Sequence, residues 1–301
     1  MRRRNREKSP PECSERVCDG AVIQNEILCS IPDKEWRLIS RRLRALAMPS
    51  HFVMHEPHRA SKFLYFPQSG LISLVVFMQD GRTVEAGIVG NEGIVGMPAM
   101  MGYSRHPLQE VVQISGSALR IPLANFRKLA PRLPQLLDSA NRYMASLGLQ
   151  VAQTAACNRV HDLEQRLARW LLMAHDRVGS YTLAITQDFL ATMLGTDRPS
   201  VTLAEAVLAT AGAIEHTRGV VKLLDRQRLE SCSCECYGVI FRHGLGAGID
   251  GSRKTGPAAT TLSKPHRPGT TIHRAGMQPA SHQTAGSSAS PATTLPGQAA
   301  K

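Results

Sequence analysis

The chain has 301 residues, 43% of them hydrophobic, which suffices for two modest cores, and the longest apolar run (LISLVVFM, 71–78) falls far short of the about 20 residues that span a bilayer. The formal charge of +12 suggests an anionic partner, but residues 1–8 hold five Arg/Lys against one Glu and residues 242–301 hold seven against one Asp, so the stretch between is nearly neutral. A membrane-spanning chain and a secreted disulfide scaffold are excluded: AVIQNEIL is too polar and short for an export signal, and seven cysteines, clustered at the ends, do not make a framework, so a cytoplasmic, reducing setting is expected.

Residues 1–24 are charged and Pro-containing and are expected to be disordered, with order beginning near Asn25. In IPDKEWRLISRRLRAL, Pro32 and Asp33 mark a helix start, and Trp36, Ile39 and Leu43 recur at helical spacing. From Phe52 to Pro122 the runs FLYFPQSG, LISLVVFMQDG, RTVEAGIVG, EVVQISG and SALRIP read as short strands separated by glycines, with a hairpin at Asp80-Gly81. Strands at this spacing imply an antiparallel sandwich or jelly-roll, placed at residues 25–133. A long helix follows, Leu136 to Ala155 within residues 134–158, whose apolar residues Leu136, Leu137, Tyr143, Met144, Leu147, Leu149 and Val151 exceed one packing face. The excess suggests a dimer seam; packing of both faces within one chain is the alternative.

Asp162 to His175 reads as an amphipathic helix that buries Leu163, Leu167, Trp170, Leu171 and Ala174 and leaves its charges to solvent. The segment ITQDFLATMLGTDRPSVTLAEAVLATAGAI (185–214) then has the pattern of two helices joined by a tight turn. Thr186 caps the first, whose apolar face is Phe189, Leu190, Met193 and Leu194; Gly195 ends it, and Thr196 or Asp197 caps the second, with Pro199 in its first turn. Val201, Ala204, Val207 and Leu208 form the inner stripe of the second helix, and Arg198, Ser200, Thr202 and Leu203 face outward. In a helix-turn-helix that N-terminal part meets base edges, whereas many such pairs only build a core. IEHTRGVVKLLD reads as a wing hairpin turning at Arg218 and Gly219, with Arg218 placed to touch phosphate. Residues 160–228 hold eight Arg/Lys against eight Asp/Glu, so affinity for DNA must come from a few placed cations and from dimerisation.

The winged unit is placed at residues 159–230, and residues 231–301 are read as a cysteine-containing end plus a disordered tail. Cys232, Cys234 and Cys236 alternate and would share one side of an extended segment. Three thiolates can begin a soft-metal site, but zinc sites mostly use cysteine pairs two apart with a fourth ligand, so structural or incidental cysteines are the favoured reading and no metal is assigned. There is no nucleophile-and-base pairing, Gly-rich phosphate loop or HExxH, so no catalytic residue and no enzymatic activity are expected.

NEGIVGMPAMM within the strand region, then the long helix, RLARWLLMAHDRVG, LAITQDFLATMLGTDRPSVTLAEAVL and the ending CECYGVI together resemble the Crp/Fnr family of bacterial transcription regulators, from about Asn25 to Ile240. The resemblance implies an α+β fold: a cyclic-nucleotide-binding-like β jelly-roll, a long dimerisation helix and a C-terminal winged helix-turn-helix. It implies a homodimer that binds double-stranded DNA, with RNA polymerase as a further partner and an unidentified small-molecule or redox effector. Arg198 matches the arginine that reads guanine through two hydrogen bonds. Thr186, Gln187 and Ser200 match phosphate- or base-proximal positions, while Pro199 and Leu203 replace a glutamate and a second arginine, leaving Leu203 to meet a thymine methyl. Glu92 and Gly93 match the family's glutamate-glycine turn, where a plain hairpin role stands beside effector contact. Leu108 and Gln109 occupy the places of the Arg and Ser that grip a cyclic phosphate, with Arg105 nearby, so cyclic AMP binding is not expected. Neither an iron–sulfur cluster (Cys13, Cys18 and Cys29 are loosely spaced) nor haem at His51, His55 or His58 is expected, and no cofactor is assigned. The alternative function is a signal-binding module that regulates a protein partner without DNA.

Overall fold

The computed structural model describes residues 16–103 and 105–243. Order begins before the expected Asn25. Strands β1 (Val17–Cys18) and β2 (Ala21–Val22) pair through Asp19 and Gly20, both at positive φ as a two-residue hairpin turn requires. Buried Arg16 holds this hairpin: its guanidinium donates to Leu28 O (2.5 Å) and Ile31 O (2.6 Å), the open carbonyls at the end of α1 (Glu26–Ser30), and lies 5.6 Å from the Trp36 ring centroid. Residues 16–24 are therefore part of the fold, and the expectation of disorder there is corrected; residues 1–15 lie outside the described residues.

Helix α2 (Asp33–Ile39) is shorter than the sequence suggests, because after a tight turn at Ser40–Arg42 the next residues form β3 (Arg44–Met48), which pairs with Arg120 to Gly116 of a later strand. Pairing with an open strand edge outweighs the helical preference of RALAM. Strands β4 (Val53–His55), β5 (Phe63–Phe77), β6 (Thr83–Val89) and, after α3 (Met97–Met100), β7 (Leu108–Pro122) complete one antiparallel five-stranded sheet in the order β3-β7-β5-β6, with β4 also on β7. Runs that the glycines appear to divide are continuous: FLYFPQSG and LISLVVF form β5, and EVVQISG and SALRIP lie in β7. The glycines mark bulges instead of breaks. Gly70 lies at φ 88, and a Cβ on Gly116 would stand 2.2 Å from Ser69 O, so the two strands cross too closely there for any side chain.

Helices α4 (Leu123–Leu129) and α5 (Pro134–Val160) lead to α6 (Leu163–Val178), which starts with a capping box between Asp162 and Gln165 and ends at Gly179, φ 68. Then come β8 (Thr182–Leu183), α7 (Gln187–Leu194), α8 (Arg198–Thr210), β9 (Ile214–Thr217), β10 (Val220–Leu223), α9 (Arg226–Cys232) and α10 (Cys236–His243). The last helix corrects the reading of the cysteine-containing end as an extended segment: it is helical from Cys236, and its Tyr237 and Ile240 are buried in the same core as α6. Residues 244–301, read as a tail, lie outside the described residues. Among the described residues, no helix is long and apolar enough to cross a membrane.

The sheet buries both faces. Ile72, Leu74, Val89 and Val112 point into a core closed by α1, α4 and α5, while Leu71, Ile88 and Ile114, on the opposite face, pack with Leu167, Trp170 and Leu171 of α6. This is why LISLVVF is apolar at every position except Ser73 instead of alternating. The charges of α6 are correspondingly not all solvated, a second correction: Arg169, His175 and Arg177 are buried.

Candidate nucleic-acid interface

Helices α7 and α8 form the expected pair, and their ends are set by local chemistry. The Thr186 hydroxyl accepts from Phe189 N (3.2 Å), Gly195 closes α7 at φ 63, and of the two candidate caps it is Asp197 that starts α8, accepting from Ser200 N at 2.8 Å. Those hydrogen bonds hold the Asp197 carboxyl below the usual carboxylate range. Pro199 sits in the first turn, where its missing N–H costs nothing. The inner stripe differs at one residue from expectation: Val201, Ala204 and Leu208 are buried, but Val207 is 54% exposed and Glu205 takes the interior place.

Buried Glu205 organises the outer face. Its Oε2 accepts from Gln187 Nε2 (2.6 Å) and lies 3.7 Å from His216 Nδ1 on β9, while Gln187 Oε1 accepts from Arg198 Nε (3.3 Å). Arg198 also contacts Asp188 at 3.3 Å. A chain of polar groups thus runs from the wing to the first residue of α8 and holds the exposed Arg198 head at the helix tip. Gln187, expected as a contact to nucleic acid, links Glu205 to Arg198 within the unit. Thr202 is exposed and donates to Arg198 O (3.1 Å), Ser200 is half-buried beside the cap, and Leu203 is 70% exposed on the same helix. Strands β9 and β10, with β8 as a third member, form the wing, and Arg218 is exposed in its turn beside Gly219, φ 75. The Glu205 contacts carry no sequence signal, because a buried carboxylate on an amphipathic helix looks like any other polar position.

Among the described residues, Glu92 and Gly93, expected at an effector pocket, pack against α6 and α5. Glu92 Oε1 accepts from Arg177 Nε (2.8 Å), and Arg177 also donates to Gln150 Oε1 (2.9 Å) and Met173 O (3.1 Å), so a side chain of α6 occupies the place beside the turn. The space left, lined by Ile88, Glu92, Tyr143 and Arg177 among others, is about 10 Å³, room for at most one water. Gly93 is needed because the Tyr143 ring would lie 2.3 Å from a Cβ there. Arg105 is exposed in the loop before β7 and has no hydrogen bond or ion pair among the described residues. Leu108 and Gln109 begin β7, opposite Val76 and Val75. Of the histidines considered, His51 and His58 are exposed, and His55 has both ring nitrogens engaged, with Glu110 and with Phe63 O.

Comparison with known proteins agrees with this arrangement. Residues 48–132 match the cyclic nucleotide-binding domain model and residues 165–232 the Crp-like helix-turn-helix domain model. No curated protein matches the chain. Similar solved structures include a putative regulator of the Crp/Fnr family from Eubacterium rectale (19% identity, 67% of this chain and 94% of that chain, TM-score 0.55), FixK2 from Bradyrhizobium japonicum (16%, 64% and 98%, 0.55) and the c-di-GMP-responsive regulator CLP of Xanthomonas campestris (16%, 64% and 98%, 0.54). With a cyclic nucleotide-binding domain ahead of a Crp-like helix-turn-helix, the chain belongs to the Crp/Fnr family of transcription regulators.

Proposed function

We propose that the protein is a homodimeric transcription regulator whose two α8 helices enter successive major grooves of a two-fold symmetric operator, about one helical turn or roughly 10 bp apart. The observation that carries this reading is the exposed first turn of α8, where Arg198 is pre-positioned by Gln187 and Asp188 with Thr202 and Leu203 beside it. Guanidinium geometry suits guanine, and Leu203 offers apolar contact to a thymine methyl. Arg218, at the wing tip, supplies a phosphate contact. Dimerisation is supported by α5, on which Asn141, Ala145, Gly148, Ala152, Ala155 and Arg159 are all exposed at alternating spacings of four and three. That spacing makes a coiled-coil seam, and its small residues allow close approach of a second helix.

The signal enters through the β-domain and changes how the helix-turn-helix units are presented, a population shift between two arrangements. Cyclic AMP is not the proposed signal, since Leu108 and Gln109 are strand residues and the space beside Glu92 is filled. Calorimetric titration with cyclic AMP and with cyclic di-GMP is expected to show no micromolar binding of the first. A micromolar constant for cyclic AMP would overturn that part.

The central test is an electrophoretic shift with operator DNA selected from genomic fragments. Arg198→Ala is expected to weaken specific binding by about 1 to 3 kcal/mol, roughly 5- to 150-fold in Kd, without changing the sedimentation of the protein. Unchanged affinity removes Arg198 from its role. Absence of any salt-sensitive shift favours regulation of a protein partner instead.

A further inference from the structure

Four ligand-bearing side chains outside the interface converge where the end of α5 meets the connection between α9 and α10. Cys157, Cys234 and Cys236 are buried and form their own cluster, and His161 joins them; the Sγ and imidazole nitrogen atoms of the four lie within 4.8 Å of one another. Cys157 Sγ stands 3.5 Å from Cys234 Sγ, and Cys236 Sγ stands 3.6 Å from His161 Nδ1. Around a tetrahedral ion with about 2.3 Å bonds to sulfur and about 2.0 Å to nitrogen, two sulfur ligands are separated by about 3.8 Å and a sulfur and a nitrogen by about 3.5 Å. Cys157 and His161 reach the site together because they are one helical turn apart, and Glu235 separates the other two cysteines. The extended segment expected at residues 232–236 is not formed: α9 ends at Cys232, which stays outside the cluster, and α10 begins at Cys236.

We propose that Cys157, His161, Cys234 and Cys236 are the four ligands of one tetrahedral zinc-class ion that joins the last turn of α5 to the start of α10. Two further observations point to a ligand there. His161 Nε2 lies 3.2 Å from the Glu235 carboxylate, the outer partner that fixes a metal-binding imidazole with its Nδ1 lone pair directed at the ion. Buried Arg169 has no carboxylate salt bridge among the described residues, and its Nε has no hydrogen-bond partner, yet it reaches Cys157. Three thiolates and a neutral imidazole around a divalent ion carry one net negative charge, which is the counter-charge that this cation needs. Gln153 Nε2 adds an N–H donor to Cys236 Sγ at 3.0 Å. A thiolate-rich closed site of this kind selects zinc over the harder divalent ions, and with every ligand supplied by protein it is a structural centre.

The assignment is independent of DNA binding and is tested without it. The full chain, reduced and reconstituted with zinc, is desalted and its metal content measured, and cobalt is titrated into the metal-free protein. The expected result is one zinc per chain, and one equivalent of cobalt giving sulfur-to-cobalt charge transfer with strong tetrahedral d–d absorption. Cys157→Ser combined with Cys234→Ser is expected to abolish both signals, Cys232→Ser to leave them, and Glu235→Ala to weaken zinc affinity about 10- to 100-fold against a competing chelator. Substoichiometric zinc in the wild-type chain, cobalt spectra without thiolate charge transfer, or undiminished metal in the double variant would each overturn the proposal. The wild-type measurements decide it even if the double variant does not fold.

Discussion

At Glu85 a single carboxyl group joins two parts of the protein. Its Oε1 accepts from Trp170 Nε1 on α6 at 2.7 Å and its Oε2 from the Ser73 hydroxyl on β5, fully buried, and burial raises its pKa from 4.5 to about 7 although both hydrogen bonds and the charges of Arg169 and Arg177 oppose the rise. The folded state thus holds this proton more tightly than the unfolded chain does. The stabilisation is complete below about pH 4.5 and is lost as pH rises through about 7, by up to about 3 kcal/mol. Glu85→Gln mimics the protonated group, so urea unfolding of this variant is expected to lose that part of the decline between pH 5 and 8 and to show higher stability than wild type at pH 8; an unaltered decline would assign it elsewhere. Residues whose role is local were legible in the sequence: Thr186, Asp197, Gly195 and Pro199 act within their own turn. Glu205, Arg177 and Glu85 were not, because a buried charge is defined by a partner 11 to 85 residues away, as in the Glu92–Arg177 bond.

Among the elements, α5 shows how a periodicity can be read correctly while most of its apolar residues serve the chain's own core. The apolar residues that suggested a seam mostly face inward: Leu136 and Tyr143 are buried, and Leu137 and Leu147 pack against the β-domain core, which is the intramolecular alternative. The face left over is small and exposed, from Ala145 through Gly148 to Ala155. Ala152→Glu places a charge in that face without touching the chain's own core, and is expected to shift sedimentation from dimer toward monomer with little change in helix content; an unshifted dimer would move the seam elsewhere. Strand ends misled for a related reason. Gly70 and Gly116 look like chain breaks in one dimension, whereas in two dimensions they are the places where β5 and β7 touch backbone to backbone. Hairpin Asp80-Gly81, caps and wing turn needed only neighbouring residues and came through intact.

For the molecule as a whole, the helix-turn-helix is not a separate bead. It shares a core with the outer face of the sheet, where Met193 packs with Val75 and Val111, and Trp170 lies 5.9 Å from Phe189. The Glu92–Arg177 pair is the charged part of that union. Glu92→Ala leaves a buried guanidinium without its counter-ion and is expected to cost about 3 to 5 kcal/mol in denaturant unfolding, with the double change Glu92→Met, Arg177→Met costing less. Equal losses would mean that the pair, not the orphaned charge, carries the effect. The helix-turn-helix match stops at residue 232, but α10 lies beyond it, with its Tyr237 hydroxyl on Asp176 (2.8 Å) and Arg226 (2.6 Å) and its His243 carbonyl accepting from Ser146 on α5 (2.9 Å). A chain cut where the match ends would therefore keep every residue proposed to face DNA and still lose the strap that buckles the helix-turn-helix to α5.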